Sequence, residues 1–303
     1  TEDGTTIEVA ANIGSLEDAL KAVGAGADGV GLLRTEFLFL GRDDMPGVDE
    51  QLEAYAAIGE ALGERPLTIR TLDVGADKPL PYASQRAEDN PFLGLRGIRL
   101  GLARRELLEV QLRAIAQLAR DRPVRIMFPM VTTTSELHAA KAALDEAVGT
   151  TRPDGLEIGV MIEVPAAALT AGHLAADVDF FSIGTNDLSQ YTMAAERGNA
   201  QVASLADPLH PAVLRLISHT VEAARDRGIW VGVCGEVAGE ASSAPLLLGL
   251  GVIELSMAPP SIPAVKQTVR TVRLGAARNL AQAALECDSA EQVRALIAGG
   301  ESR

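Results

Sequence analysis

The sequence predicts an α/β fold, a (β/α)8 TIM barrel followed by extra C-terminal helices. Eight short apolar runs alternate with longer segments whose apolar residues recur every three or four positions. The strand candidates are continuously apolar, which is typical of a parallel sheet buried on both faces. The alternative is an open, doubly wound sheet. No Gly-x-Gly-x-x-Gly motif follows the first strand candidate, which disfavours a dinucleotide-binding version of it.

The predicted elements alternate along the whole chain. The strand candidates cover residues 7–11, 29–33, 67–72, 124–129, 156–163, 180–183, 230–234 and 252–257. The helix candidates cover residues 16–23, 49–62, 104–119, 135–148, 166–174, 211–227, 240–248, 263–274, 276–285 and 290–298. Ser15 followed by Asp18 is typical of a cap for the first helix, Thr134 opens the fourth, and Pro211 suits a first helical position. The long polar stretch 75–90 is expected to be an active-site segment.

Composition restricts the classes of function. Hydrophobic residues make up 47% of the 303 residues, so the chain can bury a substantial core. The net charge of −14 argues against nucleic acid as the main partner. Two cysteines form no disulfide framework, which favours a reducing, cytoplasmic location. The apolar runs are too short to span a bilayer and no signal peptide opens the chain, so no membrane insertion is expected.

Domain organisation is expected to be simple. No glycine-, serine- or proline-rich linker divides the chain, so residues 1–303 are predicted to form a single domain. The opening residues 1–4 contain no methionine, which indicates a processed or excised fragment.

Polar residues follow the strand candidates where each one ends. In a (β/α)8 barrel these ends meet at one face, where the chemistry takes place. Glu163 and Asp187 offer the hard oxygen ligands that Mg²⁺ prefers. Arg34, Arg70 and Arg197 can bind phosphate or carboxylate oxygens through two N–H groups at once. Cys234 is a weak acid that can protonate a carbanion. Together these residues predict phosphoryl transfer.

Each of these residues also has an ordinary structural interpretation. Arg34 and Arg70 can form ion pairs with Glu36 or Asp73 at the barrel rim. Glu163 and Asp187 can cap the helices that follow them, and residues 184–187 can form a tight turn. Cys234 can be a plain buried cysteine.

Long ordered blocks of the chain resemble a known family. They are GLLRTEFLF (31–39), RTLDVGADK (70–78), NPFLGLRGIR (90–99), MFPM (127–130), GVMIEVP (159–165), SIGTNDLSQY (182–191), CGE (234–236) and ELSM (254–257). Residues 8–273 thereby resemble the phosphoenolpyruvate-binding domain of enzyme I of the bacterial sugar phosphotransferase system. The resemblance implies Mg²⁺-dependent transfer of phosphate from phosphoenolpyruvate to a histidine.

The same resemblance assigns roles to individual residues. It implies that Glu163 and Asp187 bind Mg²⁺ and that Cys234 protonates the enolate to give pyruvate. It further implies six anion-binding residues. They are Arg34 and Arg70 for the phosphate, Lys78 and Arg96 in support, and Asn186 and Arg197 for phosphate or the substrate carboxylate. Members of this family also form homodimers through their barrels.

The phosphate-accepting histidine of the family is missing from this sequence. In the family it lies in a separate N-terminal domain, in a Thr-Ser-His setting, which none of His138, His173, His210 and His219 shares. The chain is therefore expected to be the isolated phosphoenolpyruvate-binding half. It would need the phosphohistidine domain and, through it, the histidine-containing phosphocarrier protein as partners.

Three alternatives stay open from the sequence. The first is the barrel domain of pyruvate phosphate dikinase or phosphoenolpyruvate synthase, although the 31–39 block and residues 262–266 favour enzyme I. The second is a Mg²⁺-dependent lyase of the citrate-lyase type, which would not need so many arginines. The third is a non-catalytic barrel, against which the presence of Cys234 weighs.

Overall fold

The structure is a computed structural model that describes residues 1–75, 80–83, 88–149 and 152–300. Eight parallel strands form a closed barrel in sequence order, which confirms the predicted fold. The strands are β1 (Glu8–Ile13), β2 (Val30–Arg34), β3 (Leu67–Arg70), β4 (Val124–Phe128), β5 (Leu156–Ile162), β6 (Phe180–Ile183), β7 (Trp230–Val233) and β8 (Glu254–Met257). Pairing of β1 with β8, from Glu8–Glu254 to Ala11–Met257, closes the barrel.

Helices surround the barrel and continue after its last strand. They are α1 (Leu16–Gly24), α2 (Glu36–Phe39), α3 (Val48–Leu62), α4 (Ile98–Ala103), α5 (Arg105–Leu118), α6 (Thr134–Val148), α7 (Pro165–Leu169), α8 (Ala171–Leu174), α9 (Thr185–Met193), α10 (Pro211–Arg227), α11 (Ala244–Leu250), α12 (Ile262–Thr271), α13 (Leu274–Leu285) and α14 (Ala290–Gly300). None of the described helices is long and apolar enough to cross a lipid bilayer.

Two apolar layers hold the barrel together. The larger layer lies between the outer strand faces and the inner helix faces, where side chains such as Ile69, Leu112 and Val160 are fully buried. Burial of one such side chain contributes about 1.5–3 kcal/mol. A smaller cluster fills the barrel interior with Leu32, Met127, Met161, Phe180 and Cys234. The interior is therefore a packed core rather than a channel, as expected of eight strands.

A charged network lies at the amino end of the barrel, and we call it the barrel floor. Arg125 of β4 donates hydrogen bonds of 3.2 Å to the carboxyl groups of Glu8 of β1, Glu157 of β5 and Glu254 of β8. Its guanidinium also lies 4.6 Å from the ring centroid of Trp230, at the start of β7. One side chain thus links five strands at the end opposite their carboxyl termini.

Helix starts agree with the capping signals, with small shifts. The Ser15 hydroxyl accepts a hydrogen bond from the backbone of Asp18, as predicted. The α6 cap is Thr133 rather than Thr134, in a full capping box with Glu136. Pro211 does begin α10, with the imidazole of His210 accepting from the backbone of Ala212.

Several predicted ends of strands and helices are wrong. The strand predicted over 67–72 ends at Arg70, and the strand predicted over 156–163 ends at Ile162. The helix predicted over 166–174 is two short helices, α7 and α8. The helix predicted over 240–248 starts as a 3₁₀ turn, Ala241–Ser243, and α11 itself begins at Ala244. Residues 184–187 do not form an isolated turn, because the backbone N–H of Leu188 donates to the Gly184 carbonyl and α9 begins there.

Candidate functional site

A cavity of about 450 Å³ opens at the carboxyl ends of the strands. Every predicted site residue within the described part of the chain lines it. These residues are Arg34, Arg70, Arg96, Glu163, Asn186, Asp187, Arg197 and Cys234. Lys78 lies outside the described residues. The barrel topology therefore gathers side chains from positions 34 to 234 into one site.

Three buried carboxylates form the centre of the site. Asp73, Glu163 and Asp187 each place one oxygen within 4.8 Å of the others, and all three side chains are buried. Asp73 follows β3, Glu163 follows β5, and Asp187 lies in the first turn of α9. We call these three residues the acid triad. Sequence reasoning chose two of its members and missed Asp73, which it considered only as an ion-pair partner.

The backbone near the acid triad is shaped around Glu163. The N–H of Met130 donates to Glu163 Oε1 at 2.6 Å. Met130 has φ of 58°, a left-handed conformation that non-glycine residues rarely adopt. Such strain is typical of functional sites. Sequence reasoning did not identify Met130, because no sequence signal marks a positive φ at a methionine.

The surroundings of Glu163 oppose ionisation of its carboxyl group. Burial raises the pKa of this carboxyl well above its ordinary value, and the neighbouring charges of Asp187 and Asp73 raise it further. Arg70 and Arg96 act in the opposite direction but do not cancel the effect. Three carboxylates this close are costly to bury together unless a cation compensates them. The triad therefore fits a divalent metal ion, whose preferred ligands are carboxylate oxygens.

Guanidinium groups surround the acid triad. Arg70 pairs with Glu36 at 2.5 Å and with Asp73 at 3.1 Å. Arg96 contacts both oxygens of Asp73, through Nε at 3.2 Å and Nη2 at 2.9 Å. Arg197 donates to Asp187 at 2.9 Å. The ion-pair interpretation of Arg70 is thus confirmed, and it coexists with a position inside the cavity.

Two cationic groups keep donors available for a ligand. Arg34 is exposed at the end of β2, and no hydrogen bond or ion pair of its side chain occurs within the described part of the chain. Arg70 Nε is buried and lacks a hydrogen-bond partner among the same residues. The expectation that Arg34 pairs with Glu36 or Asp73 is not met, because Arg70 pairs with both. Unpaired donors in a cavity are suited to an anion.

Cys234 lies at the base of the cavity, directly after β7. Burial raises the pKa of its thiol to about 11, so the thiol keeps its proton at neutral pH.

The two residues after Cys234 contact the first turn of α9. Asn186 donates to Glu236 Oε1 at 3.2 Å and accepts from the Glu236 backbone at 3.0 Å. Gly235 is required here, because a Cβ at this position would lie 1.8 Å from Thr185 Oγ1.

The helix-cap interpretations of the acids are wrong. The cap of α7 is Val164, and the cap of α9 is Gly184, neither with a side-chain hydrogen bond. The four histidines lie elsewhere, since none is among the residues lining the cavity. His138 pairs with Asp177, and His210 caps α10.

Comparison with known proteins identifies relatives across the whole length. Residues 1–274 match the family model described as "PEP-utilising enzyme, PEP-binding domain", in which PEP is phosphoenolpyruvate. The chain is 50% identical over 296 residues to a multiphosphoryl transfer protein of Rhodobacter capsulatus, covering 98% of this chain and 36% of that protein. It is 46% identical over 303 residues to a phosphoenolpyruvate-protein phosphotransferase of Bacillus sp. (strain S), covering 98% and 52%. The chain thus spans about a third to a half of the curated relatives it matches.

Solved structures of lower similarity share the fold. A citrate lyase of Burkholderia xenovorans superimposes with a TM-score of 0.55 at 14% identity, covering 98% of this chain and 92% of that one. A malate synthase of Haloferax volcanii gives 0.56 at 13% identity, covering 89% and 71%. At such identities these likenesses support the barrel alone.

Proposed function

The chain belongs to the family of phosphoenolpyruvate-binding domains of PEP-utilising enzymes, and we propose that it binds phosphoenolpyruvate with Mg²⁺. In this proposal it donates the phosphoryl group to a histidine on a separate N-terminal domain and releases pyruvate. This would be the first step of sugar uptake by a phosphotransferase system. The names of its relatives at 46–50% identity support this function over a dikinase, a synthase or a lyase.

One observation carries the proposal: the acid triad and the arginines share a cavity with a protonated thiol. A metal ion and several cations around a small dianion are what phosphoryl transfer requires, because its catalysis is mostly positioning and charge stabilisation. The buried thiol adds a proton donor. A site that only bound an anion would have no use for one.

Glu163 and Asp187 are the proposed Mg²⁺ ligands, and Asp73 lies close enough to assist them. When bound at these carboxylates, the ion would offset the negative charge of the acid triad and of the substrate. The high pKa that burial and the neighbouring acids impose on Glu163 supports this assignment, because a cation would relieve the repulsion.

The arginines are proposed to bind the phosphate and the carboxylate of the substrate. Arg34 and the Nε of Arg70 offer unpaired donors, with Arg96 and Lys78 in support. Arg70 and Arg197 are ion-paired with acids in the structure. A cation on the acids would weaken those pairs and release guanidinium donors for the incoming anion. Asn186 and Arg197 are the remaining anion contacts.

Cys234 is the proposed acid for the second half of the reaction. The P–O bond of phosphoenolpyruvate breaks as a histidine nitrogen forms a bond to phosphorus, and the electron pair stays on the enolate oxygen. The Cys234 thiol then gives its proton to the methylene carbon, so that pyruvate forms and a thiolate remains. Solvent must return a proton to the thiolate before the next turnover.

The partners follow from the same proposal. The acceptor histidine lies on a phosphohistidine domain of the whole enzyme, which passes the phosphoryl group to a histidine-containing phosphocarrier protein. We further propose a cytoplasmic homodimer.

The test combines this chain with a separately produced phosphohistidine domain. Pyruvate should form only when the domain, Mg²⁺ and phosphoenolpyruvate are all present. Cys234→Ala should slow pyruvate formation strongly without preventing binding of phosphoenolpyruvate. Bulk pyruvate formation by this chain alone would contradict the proposed division of labour.

A further inference from the structure

Asn12 connects three strands at the base of the cavity. It lies near the end of β1, and its Nδ2 donates to the backbone carbonyl of Cys234 at 2.9 Å. Its Oδ1 accepts from the hydroxyl of Ser256, on β8, at 2.7 Å. Because a carbonyl can only accept, the amide nitrogen must face Cys234, and the oxygen must then face Ser256. Ser256 therefore fixes the orientation in which Asn12 holds Cys234.

Strand pairing does not hold the Cys234 carbonyl on the side that faces β8. On the β6 side, the Cys234 N–H donates to the Ile183 carbonyl at 3.1 Å. On the β8 side, the pairing between β7 and β8 covers only Gly232–Glu254 and Val233–Leu255 in the described structure. The residue after that last pair is Cys234. Its carbonyl is held by a side chain in the place where the next strand contact would be.

We propose that Asn12, oriented by Ser256, is a positioning residue that holds the Cys234 thiol where it can protonate the enolate. This inference rests on the proposed function, which makes the thiol the acid. Proton transfer demands a donor within hydrogen-bond reach of the reacting carbon, and a displacement of about 1 Å can reduce a rate about 100-fold. A loosened Cys234 carbonyl would allow such a displacement.

The first test follows the thiol without any substrate. Alkylation of Cys234 by iodoacetamide at pH 8 is measured by mass spectrometry in a Cys287→Ser background. A buried, protonated thiol reacts slowly, so Asn12→Leu should increase the rate about tenfold or more. Ser256→Ala should produce a smaller increase, and it should add little in the Asn12→Leu background, since it acts through Asn12. The matched control is Asn279→Leu on the exposed face of α13, which should leave the rate unchanged.

The second test distinguishes a positioning role of Asn12 from a loss of substrate binding. Asn12→Leu should lower pyruvate formation with the phosphohistidine domain about tenfold or more, while binding of phosphoenolpyruvate with Mg²⁺ stays within about twofold. If Asn12→Leu fails to fold, Asn12→Asp serves instead, because it keeps the acceptor for Ser256 and loses the donor to Cys234.

Two results would overturn the role of Asn12: an alkylation rate equal to that of the control, or a loss of turnover that only parallels a loss of binding. A wild-type chain that does not bind phosphoenolpyruvate would instead refute the proposed function. The alkylation rates would still decide whether Asn12 holds the thiol, so the two failures are distinguishable.

Discussion

Replacing Glu254 of the barrel floor by glutamine should change how stability depends on pH. Burial, together with the neighbouring Glu8, raises the pKa of Glu254 from an ordinary 4.5 to about 8. One of its oxygens faces Arg125, while Oε1 is buried without a hydrogen-bond partner in the described structure. The folded protein therefore keeps a proton on this carboxyl at pH 6–7, where the unfolded chain releases it.

The sign of the effect follows from this proton. Below pH 4.5 both states are protonated, so the carboxyl contributes no pH dependence. Between pH 4.5 and about 8 the unfolded state binds fewer protons, so the free energy of unfolding falls as pH rises. One pKa unit corresponds to about 1.4 kcal/mol. The interval from 4.5 to about 8 therefore corresponds to a loss of at most about 5 kcal/mol, which is complete above pH 8.

Glu254→Gln should remove this loss, because the amide stays neutral and keeps an oxygen for Arg125. Relative to wild type, the variant should gain about 2–5 kcal/mol between pH 5 and pH 9. Urea unfolding at several pH values measures this difference. The fluorescence of Trp230, the sole tryptophan, follows unfolding, because its ring contacts Arg125 of the barrel floor. Glu146→Gln is the control, since that exposed carboxylate pairs only at the surface with Arg105. Parallel pH curves for wild type and Glu254→Gln would show that Glu254 does not hold a proton in the folded state that the unfolded chain releases.

Three further substitutions test the site. Glu163→Gln should abolish Mg²⁺-dependent binding in calorimetry yet raise the melting temperature of the metal-free chain, because burial and the charges of Asp187 and Asp73 oppose ionisation of the Glu163 carboxyl and the amide stays neutral; retained metal dependence would exclude Glu163 as a ligand. Cys234→Ala should keep phosphoenolpyruvate binding within about twofold and slow pyruvate formation about 100-fold or more; a loss of binding would mean a structural role. Gly235→Ala should cost about 1–3 kcal/mol in urea unfolding, because its methyl group would meet Thr185 Oγ1 at 1.8 Å. Thr185→Ala in the same chain should recover part of that cost, and a cost below about 0.5 kcal/mol would contradict the close approach.

The sequence was sufficient for the barrel because its strands are buried on both faces. The continuous apolar run 180–183 matches β6 without correction, and the run 230–234 needed its end moved by one residue. The position of the site followed from the same rule, since Arg34, Arg70 and Cys234 are the end residues of parallel strands or follow them directly. These inferences depend on local pattern and topology, which a sequence displays.

Other features depend on the paths of loops, which a sequence does not display. Asp73 lies three residues beyond the end of β3, and its carboxylate still meets those of Glu163 and Asp187. Met130 presents its N–H to Glu163 only through a left-handed backbone. Polar residues such as Asn186 and Asp187 suit a turn and a first helical turn equally, so the start of α9 was missed. The Asn12–Ser256 contact joins residues far apart in the chain, and neither lies in a polar cluster at a strand end.

The most direct measurement is calorimetric titration of phosphoenolpyruvate into this chain, first with Mg²⁺ and then with EDTA. We expect saturable binding with a dissociation constant in the micromolar to millimolar range, lost when EDTA removes the metal ion. No heat and no thermal stabilisation under either condition would contradict the claim that the acid triad and the arginines form a phosphoenolpyruvate site.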